Sequence, residues 1–192
     1  MAKDVQPTLE TERLILRPFD LSDGSRVQML AGDEAIASTT LNIPHPYEDG
    51  MAEEWIRTHP EGYEKGEFIN FAIVLKAGQE LIGAIGLTLR QKHVHAEIGY
   101  WIGKPYWNQG YCTEAAREVI RYGFETLNLH RIHAMHLSRN PASGKVMSKS
   151  GMSHEGTRHE HIFKWDVFEN VELYGLLRSE YEQVRGTWFT EV

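Results

Sequence analysis

The strongest constraint on this chain is one unbroken string, Ala96-Glu97-Ile98-Gly99-Tyr100-Trp101-Ile102-Gly103-Lys104-Pro105-Tyr106-Trp107-Asn108-Gln109-Gly110-Tyr111-Cys112-Thr113-Glu114-Ala115. A β-rich run enters a short glycine-containing loop and continues directly into a helix. The first amides of such a helix have no intrahelical acceptor and lie at the positive end of its dipole, which makes the junction an anion site. Gly110 lets backbone approach a phosphate, and the small Cys112 does so with less freedom. No Gly-Lys-Ser/Thr follows, and the three-glycine dinucleotide fingerprint is absent.

The rest of the chain alternates strand and helix signals around that junction. Residues 9–19 read as a first strand, and Asp20 or Ser22 caps a helix to about residue 31. A proline-containing loop over 42–47 leads to a helix over 50–58. Strands over 68–76, 80–90 and 94–102 follow at meander spacing, the first ending at Lys76-Ala77-Gly78-Gln79. A helix over 113–127 carries Ala116, Ile120, Gly123 and Leu127 on one side. Then come a strand at 131–138, a helix at 140–150, and strands at about 152–161 and 170–178, with 171–183 open to a partly helical reading. The order is α/β (α+β), a mostly antiparallel meander feeding a strand–helix–strand unit. With 192 residues, 41% of them hydrophobic, and no linker-like stretch, a single domain over 1–192 is expected.

Charge and cysteine narrow the class further. Twenty Lys and Arg against 27 Asp and Glu give −7, which disfavours nucleic acid and suits a cationic partner. The single Cys112 excludes an internal disulfide and suits a reducing compartment. Residues 1–7 are polar, unlike a secretory signal, and no run approaches the ~20 apolar residues of a membrane span. A cytoplasmic protein without membrane partners is the expectation.

The loop Trp107-Asn108-Gln109-Gly110-Tyr111-Cys112 resembles the acetyl-CoA motif Gln/Arg-x-x-Gly-x-Gly/Ala of the GCN5-related N-acetyltransferase (GNAT) superfamily. The string Leu9-Glu10-Thr11-Glu12-Arg13-Leu14-Ile15-Leu16-Arg17-Pro18 is similar to the first strand of the RimJ/RimL branch of ribosomal-protein N-terminal acetyltransferases. Ile98-Gly99-Tyr100-Trp101, Gly110-Tyr111-Cys112-Thr113-Glu114-Ala115, and Asn140-Pro141-Ala142-Ser143 followed by Lys149-Ser150-Gly151-Met152 agree with it. The similarity spans about residues 8–185. It implies a GNAT fold, a mixed sheet flanked by helices and splayed at the acetyl-CoA site. The implied activity is acetyl transfer to a primary amine, with acetyl-CoA as co-substrate and no metal. Trp107 departs from the usual Gln or Arg, and Met147 stands where other branches place the tyrosine that protonates the leaving thiolate.

By the same resemblance, Gln109, Gly110, Tyr111, Cys112 and Thr113 supply amides to the pyrophosphate, and the backbone of Trp101 and Ile102 pairs with pantetheine. Asn140 bonds the pantetheine arm, although Asn before Pro is also an N-cap. Ser143 occupies the general-acid position. Glu97, sharing a strand face with Gly99 and Trp101 by period-2 alternation, is the candidate base; Tyr100 takes that role if the opposite face lines the cleft. Both Glu97 and Ser143 also read as plain surface residues. Cys112 is assigned a spacing role, not a nucleophilic one. A rival reading is a metal protein, from His93-x-His95-x-Glu97, His159 with His161, and His130 with His133. Another is an acyl-CoA sensor without catalysis. The acceptor is open between a protein N-terminus and a polyamine, amino sugar or other small amine, with specificity expected from 42–67 and a loop over 159–170. Exposed Trp165, Phe168 and Trp188 would suit a homodimer contact.

Overall fold

The computed structural model describes residues 5–188. In chain order these form β1 (Leu9–Glu10), β2 (Leu14–Arg17), α1 (Gly24–Ala31), α2 (Glu34–Thr39), α3 (Met51–Arg57), α4 (His59–Lys65), β3 (Phe68–Leu75), β4 (Leu81–Arg90) and β5 (His95–Ile102). There follow α5 (Tyr111–Glu125), β6 (Arg131–Leu137), α6 (Pro141–Lys149), β7 (Ser153–Lys164), β8 (Val167–Leu177) and α7 (Arg178–Val184). The eight strands make one sheet in the order β1-β2-β3-β4-β5-β6-β8-β7. Every pairing is antiparallel except β5 with β6. Chains of this order need a crossover between the parallel strands, and α5 supplies it.

Two apolar layers sandwich the sheet. On one face Leu14, Leu16, Phe71, Leu87, Ile98 and Ile132 pack against Val119, Ile120 and Phe124 of α5, Met147 of α6 and Tyr181 of α7. On the other, Ala72, Val74 and Leu81 meet Val27 and Leu30 of α1 and Ala52 and Ile56 of α3. The first face runs across both halves of the sheet and holds β6 in place where its pairing to β5 ends.

The helix and strand limits depart from the sequence reading in four places. The strand expected over 9–19 is split, because Thr11 turns the chain: its amide donates to the Leu14 carbonyl and its Oγ1 accepts from the Leu14 amide, both at 3.0 Å. Two extra helices appear. Asp33 caps α2, its Oδ1 accepting from the Ala35 amide at 2.8 Å, and α4 begins immediately before Pro60, whose missing donor costs nothing in a first turn. The supposed loop over 159–170 is a hairpin. Its tip, Trp165-Asp166, adopts φ values of 52° and 61°, a two-residue turn made without glycine and so without its usual signal. Residues 178–184 form α7 after β8 ends, which resolves the partly helical reading. Trp188, expected at the surface, is 7% exposed: it packs on Tyr181 with ring centroids 5.5 Å apart and lies under Arg117. Trp165 and Phe168 are exposed as expected.

Candidate active site

The parallel β5–β6 ladder lasts three residues, with His95 opposite Arg131, Ala96 opposite Ile132 and Glu97 opposite His133. Beyond it the strands part. β5 stays paired to β4 through Ile102, and β6 stays paired to β8 through Leu137. The wedge between them is a cleft of about 620 Å³, walled by Gly99, Tyr100, Trp101 and Ile102 on one side and Met135, His136 and Leu137 on the other. Gly103 donates to the Ile82 carbonyl at 2.8 Å. By antiparallel alternation the backbone of Trp101 therefore bonds β4, and the edge groups turned toward the wedge belong to Ile98, Tyr100 and Ile102. Trp101 lines the cleft, but its backbone is committed to the sheet, which moves the expected pairing positions to its neighbours.

The loop after β5 closes one end. Gly110 has φ 81° and precedes α5 with no side-chain cap, so the first-turn amides stay open. Gly110, Tyr111, Cys112 and Thr113 line the cleft. Gln109 is not among the lining residues: its Nε2 donates to the Pro105 carbonyl at 3.1 Å. Trp107, the departure from the usual motif, has a concrete task, since its Nε1 donates to the Ile102 carbonyl at 2.6 Å and ties the loop to the end of β5. Burial pushes the Cys112 thiol up to about 12, which removes it as a nucleophile at neutral pH.

From the β6 side, α6 brings Asn140 and Ser143. Asn140 caps the helix, its Oδ1 accepting from the Ser143 amide at 3.4 Å, and its Nδ2 donates to the Thr39 carbonyl at 3.1 Å. The Ser143 hydroxyl lies 3.0 Å from the Tyr100 hydroxyl, which also donates to the Ser143 carbonyl at 3.1 Å. Burial, with a hydrogen bond from Ser143 working against it, pushes the Tyr100 phenol far above its ordinary range, so it stays protonated. Met147 is buried at the cleft wall and offers no proton. Tyr100 was weighed in the sequence only as a base; on the α6 side of the sheet it is a hydroxyl donor instead.

Glu97 is half-buried, on the opposite face from Tyr100, and lines the far end of the cleft with Asn70, Thr88 and Trp55. Its carboxyl is pushed above the usual range by burial, against the pull of Arg90 and Arg158. Asn70 and Thr88 were missed in the sequence, although each is a polar residue inside a strongly apolar strand. Among the described residues no group of three or more His, Cys, Asp or Glu is placed to hold a metal ion. His93, His95 and His133 meet as rings, 5.9 and 5.1 Å between successive centroids. No helix among the described residues is long and apolar enough to cross a membrane.

A sheet splayed beside an uncapped helix start is the arrangement that the resemblance in the sequence implies. The model of the acetyltransferase (GNAT) domain matches residues 13–153, and the chain is a member of that family and an N-acetyltransferase. It is 32% identical to the uncharacterized N-acetyltransferase YoaA of Bacillus subtilis over 174 residues, covering 90% of this chain and 97% of that protein. It is 31% identical to the putative ribosomal N-acetyltransferase YdaF of B. subtilis over 139 residues, 71% of this chain and 72% of the relative. The solved structure of RimL, a ribosomal L7/L12 α-N-protein acetyltransferase in complex with coenzyme A, has the same fold, with a TM-score of 0.82 at 16% identity over 89% of this chain and 98% of that one.

Proposed function

We propose that this enzyme transfers the acetyl group of acetyl-CoA directly to the α-amine of a protein N-terminus, in the manner of the RimJ/RimL branch. The observation that carries the acceptor class is the lining of the cleft, in which Glu97 is the single carboxylate among the described residues. The α2, α3, β3 and β4 side of the same lining carries neutral groups, among them Thr39, Thr40, Asn42, Asn70 and Thr88, with Trp55. One carboxylate matches one ammonium, and amide and hydroxyl side chains match the peptide groups behind it. A polyamine brings several cations and calls for several acidic partners. The name of the relative YdaF supports the same reading.

Acetyl-CoA enters as substrate. The fit rests on two open features: the unpaired edge of β5 past Glu97 and the uncapped amides of α5. The amides of Gly110, Tyr111, Cys112 and Thr113 hold the pyrophosphate, with Gln109 shaping the loop beside them, and the edge groups of Tyr100 and the Ile102 amide hold the pantetheine arm, with Trp101 walling the acceptor side. Asn140 fixes the start of α6 beside that arm. Glu97 takes the proton of the incoming ammonium, and the freed amine attacks the thioester carbon. The carbon–sulfur bond breaks, the Ser143–Tyr100 hydroxyl pair gives a proton to the departing sulfur, and the proton that the nitrogen sheds on becoming an amide passes through solvent to restore the pair. The lone cysteine and the acidic balance suit the cytoplasm.

The test follows free thiol release from acetyl-CoA across peptides of varied N-terminus, spermidine, an aminoglycoside and free lysine. Turnover confined to peptides is expected, with acetate found on the α-amine. Preference for spermidine or the aminoglycoside would replace the acceptor, and CoA binding without turnover on any of them would favour the sensor reading.

A further inference from the structure

Two of the strings that resemble the family, residues 9–18 and 110–115, lie about one hundred positions apart and meet at one carboxylate. Glu114 sits in the first turn of α5, where a negative charge competes with any anion bound at the helix start. Three donors from the β1–β2 turn disarm it. Thr11 Oγ1 donates to Glu114 Oε1 at 2.5 Å, the Arg13 amide donates to the same oxygen at 2.8 Å, and Arg13 Nε donates to Oε2 at 2.6 Å. The same guanidinium reaches the loop, where Nη1 donates to the Gln109 carbonyl at 3.0 Å, and it lies 4.5 Å from the centre of the Tyr111 ring. Arg13 is not among the cleft-lining residues, so it acts from behind the loop.

The peptide plane gives this contact its meaning. In a trans peptide the carbonyl of one residue and the N–H of the next point in opposite directions. With the Gln109 carbonyl held back by Arg13, the Gly110 N–H is turned the other way, toward the cleft. We propose that Arg13, assisted by Thr11, is a positioning residue for diphosphate recognition: it neutralises Glu114 at the helix start and orients the Gln109–Gly110 peptide. The proposal rests on the reading of Gln109–Thr113 as the pyrophosphate loop.

The experiment titrates wild type, Arg13→Ala, Arg13→Lys and the double variant Arg13→Ala/Glu114→Gln by calorimetry with two ligands, CoA and pantetheine, which lacks the diphosphate. Wild type is expected to bind CoA far more tightly than pantetheine. Arg13→Ala is expected to weaken CoA about tenfold and pantetheine less than about twofold. The double variant regains part of the loss, because the uncompensated carboxylate is gone. Arg13→Lys keeps the charge but not the fork, so it falls between wild type and Ala. Equal losses for both ligands, or none for CoA, overturn the proposal; if Arg13→Ala does not fold, the Lys variant carries the same comparison. A wild type with no preference for CoA overturns the loop reading itself, before any variant is measured.

Discussion

Glu97 faces Thr88 on β4 and His133 on β6, and its raised carboxyl pKa follows from burial at the end of the cleft where the two strands part. The sign follows from the role of base proposed for it. A base works ionised, so turnover rises with pH as the carboxyl loses its proton, and a raised pKa moves that limb upward from the ordinary carboxylate range. The acceptor amine adds a second limb higher up, near its own pKa of about 8. Glu97→Gln is expected to lower kcat by roughly 10²–10⁴-fold and to erase the lower limb while leaving the upper one. A pH profile of kcat on one peptide reads both effects, and an unchanged profile would falsify the base assignment. Tyr100 has the opposite character: its pKa is driven too high for it to ionise near neutrality, so it contributes no limb and remains a donor.

At the scale of elements, α6 determines where Ser143 and Asn140 stand, and the closeness of α6 to β6 depends on Gly144. A Cβ there would lie 2.7 Å from His136 Nε2 and 3.2 Å from the Tyr174 hydroxyl. The His136 ring is buried and pinned through Nδ1 to the Leu137 carbonyl at 2.8 Å, so the helix must give way instead. Gly144→Ala is expected to cost about 1–3 kcal/mol by overpacking and to lower kcat about tenfold, by drawing Ser143 off Tyr100. Tyr100→Phe removes the same hydroxyl contact without moving the helix. Melting curves and kcat for the two variants separate these effects; if Gly144→Ala lowers the melting point and leaves kcat alone, the placement of α6 is not catalytic. This helix was legible because Asn140-Pro141 is a local cap signal, and β5 was legible to within a residue because its alternation is regular. Helices α2 and α4 were not, being short and framed by Asp33, Pro60 and Gly62, which read as loop.

Across the whole molecule, what the sequence revealed was what lies close together in it. The strand, loop and helix of residues 96–115 form one wall of the site from one string. The opposite wall gathers α2, α3, β3 and β4, and its neutral side chains carry no spacing signal. The same gathering buries His59 under the α3–α4 cap, 5% exposed, its ring 4.5 Å from Trp55, 5.3 Å from Phe19 and 6.2 Å from Phe68. Neither ring nitrogen has a hydrogen-bond partner among the described residues, and burial pushes its pKa down to about 4. Between that value and the ordinary 6.5, the unfolded chain takes up a proton that the folded chain refuses. His59 therefore costs no pH-dependent stability above 6.5 and draws stability down as pH falls toward 4, by about 3 kcal/mol at most. His133, also pushed down to about 4 by burial, adds a smaller share because it is half-exposed. His59→Leu should flatten the dependence of the urea midpoint on pH between 7 and 4.5, whatever it does to the midpoint at pH 7. A variant whose midpoint falls with acid as steeply as wild type would mean that the loss of stability comes from elsewhere in the fold, with His133 the next ring to replace.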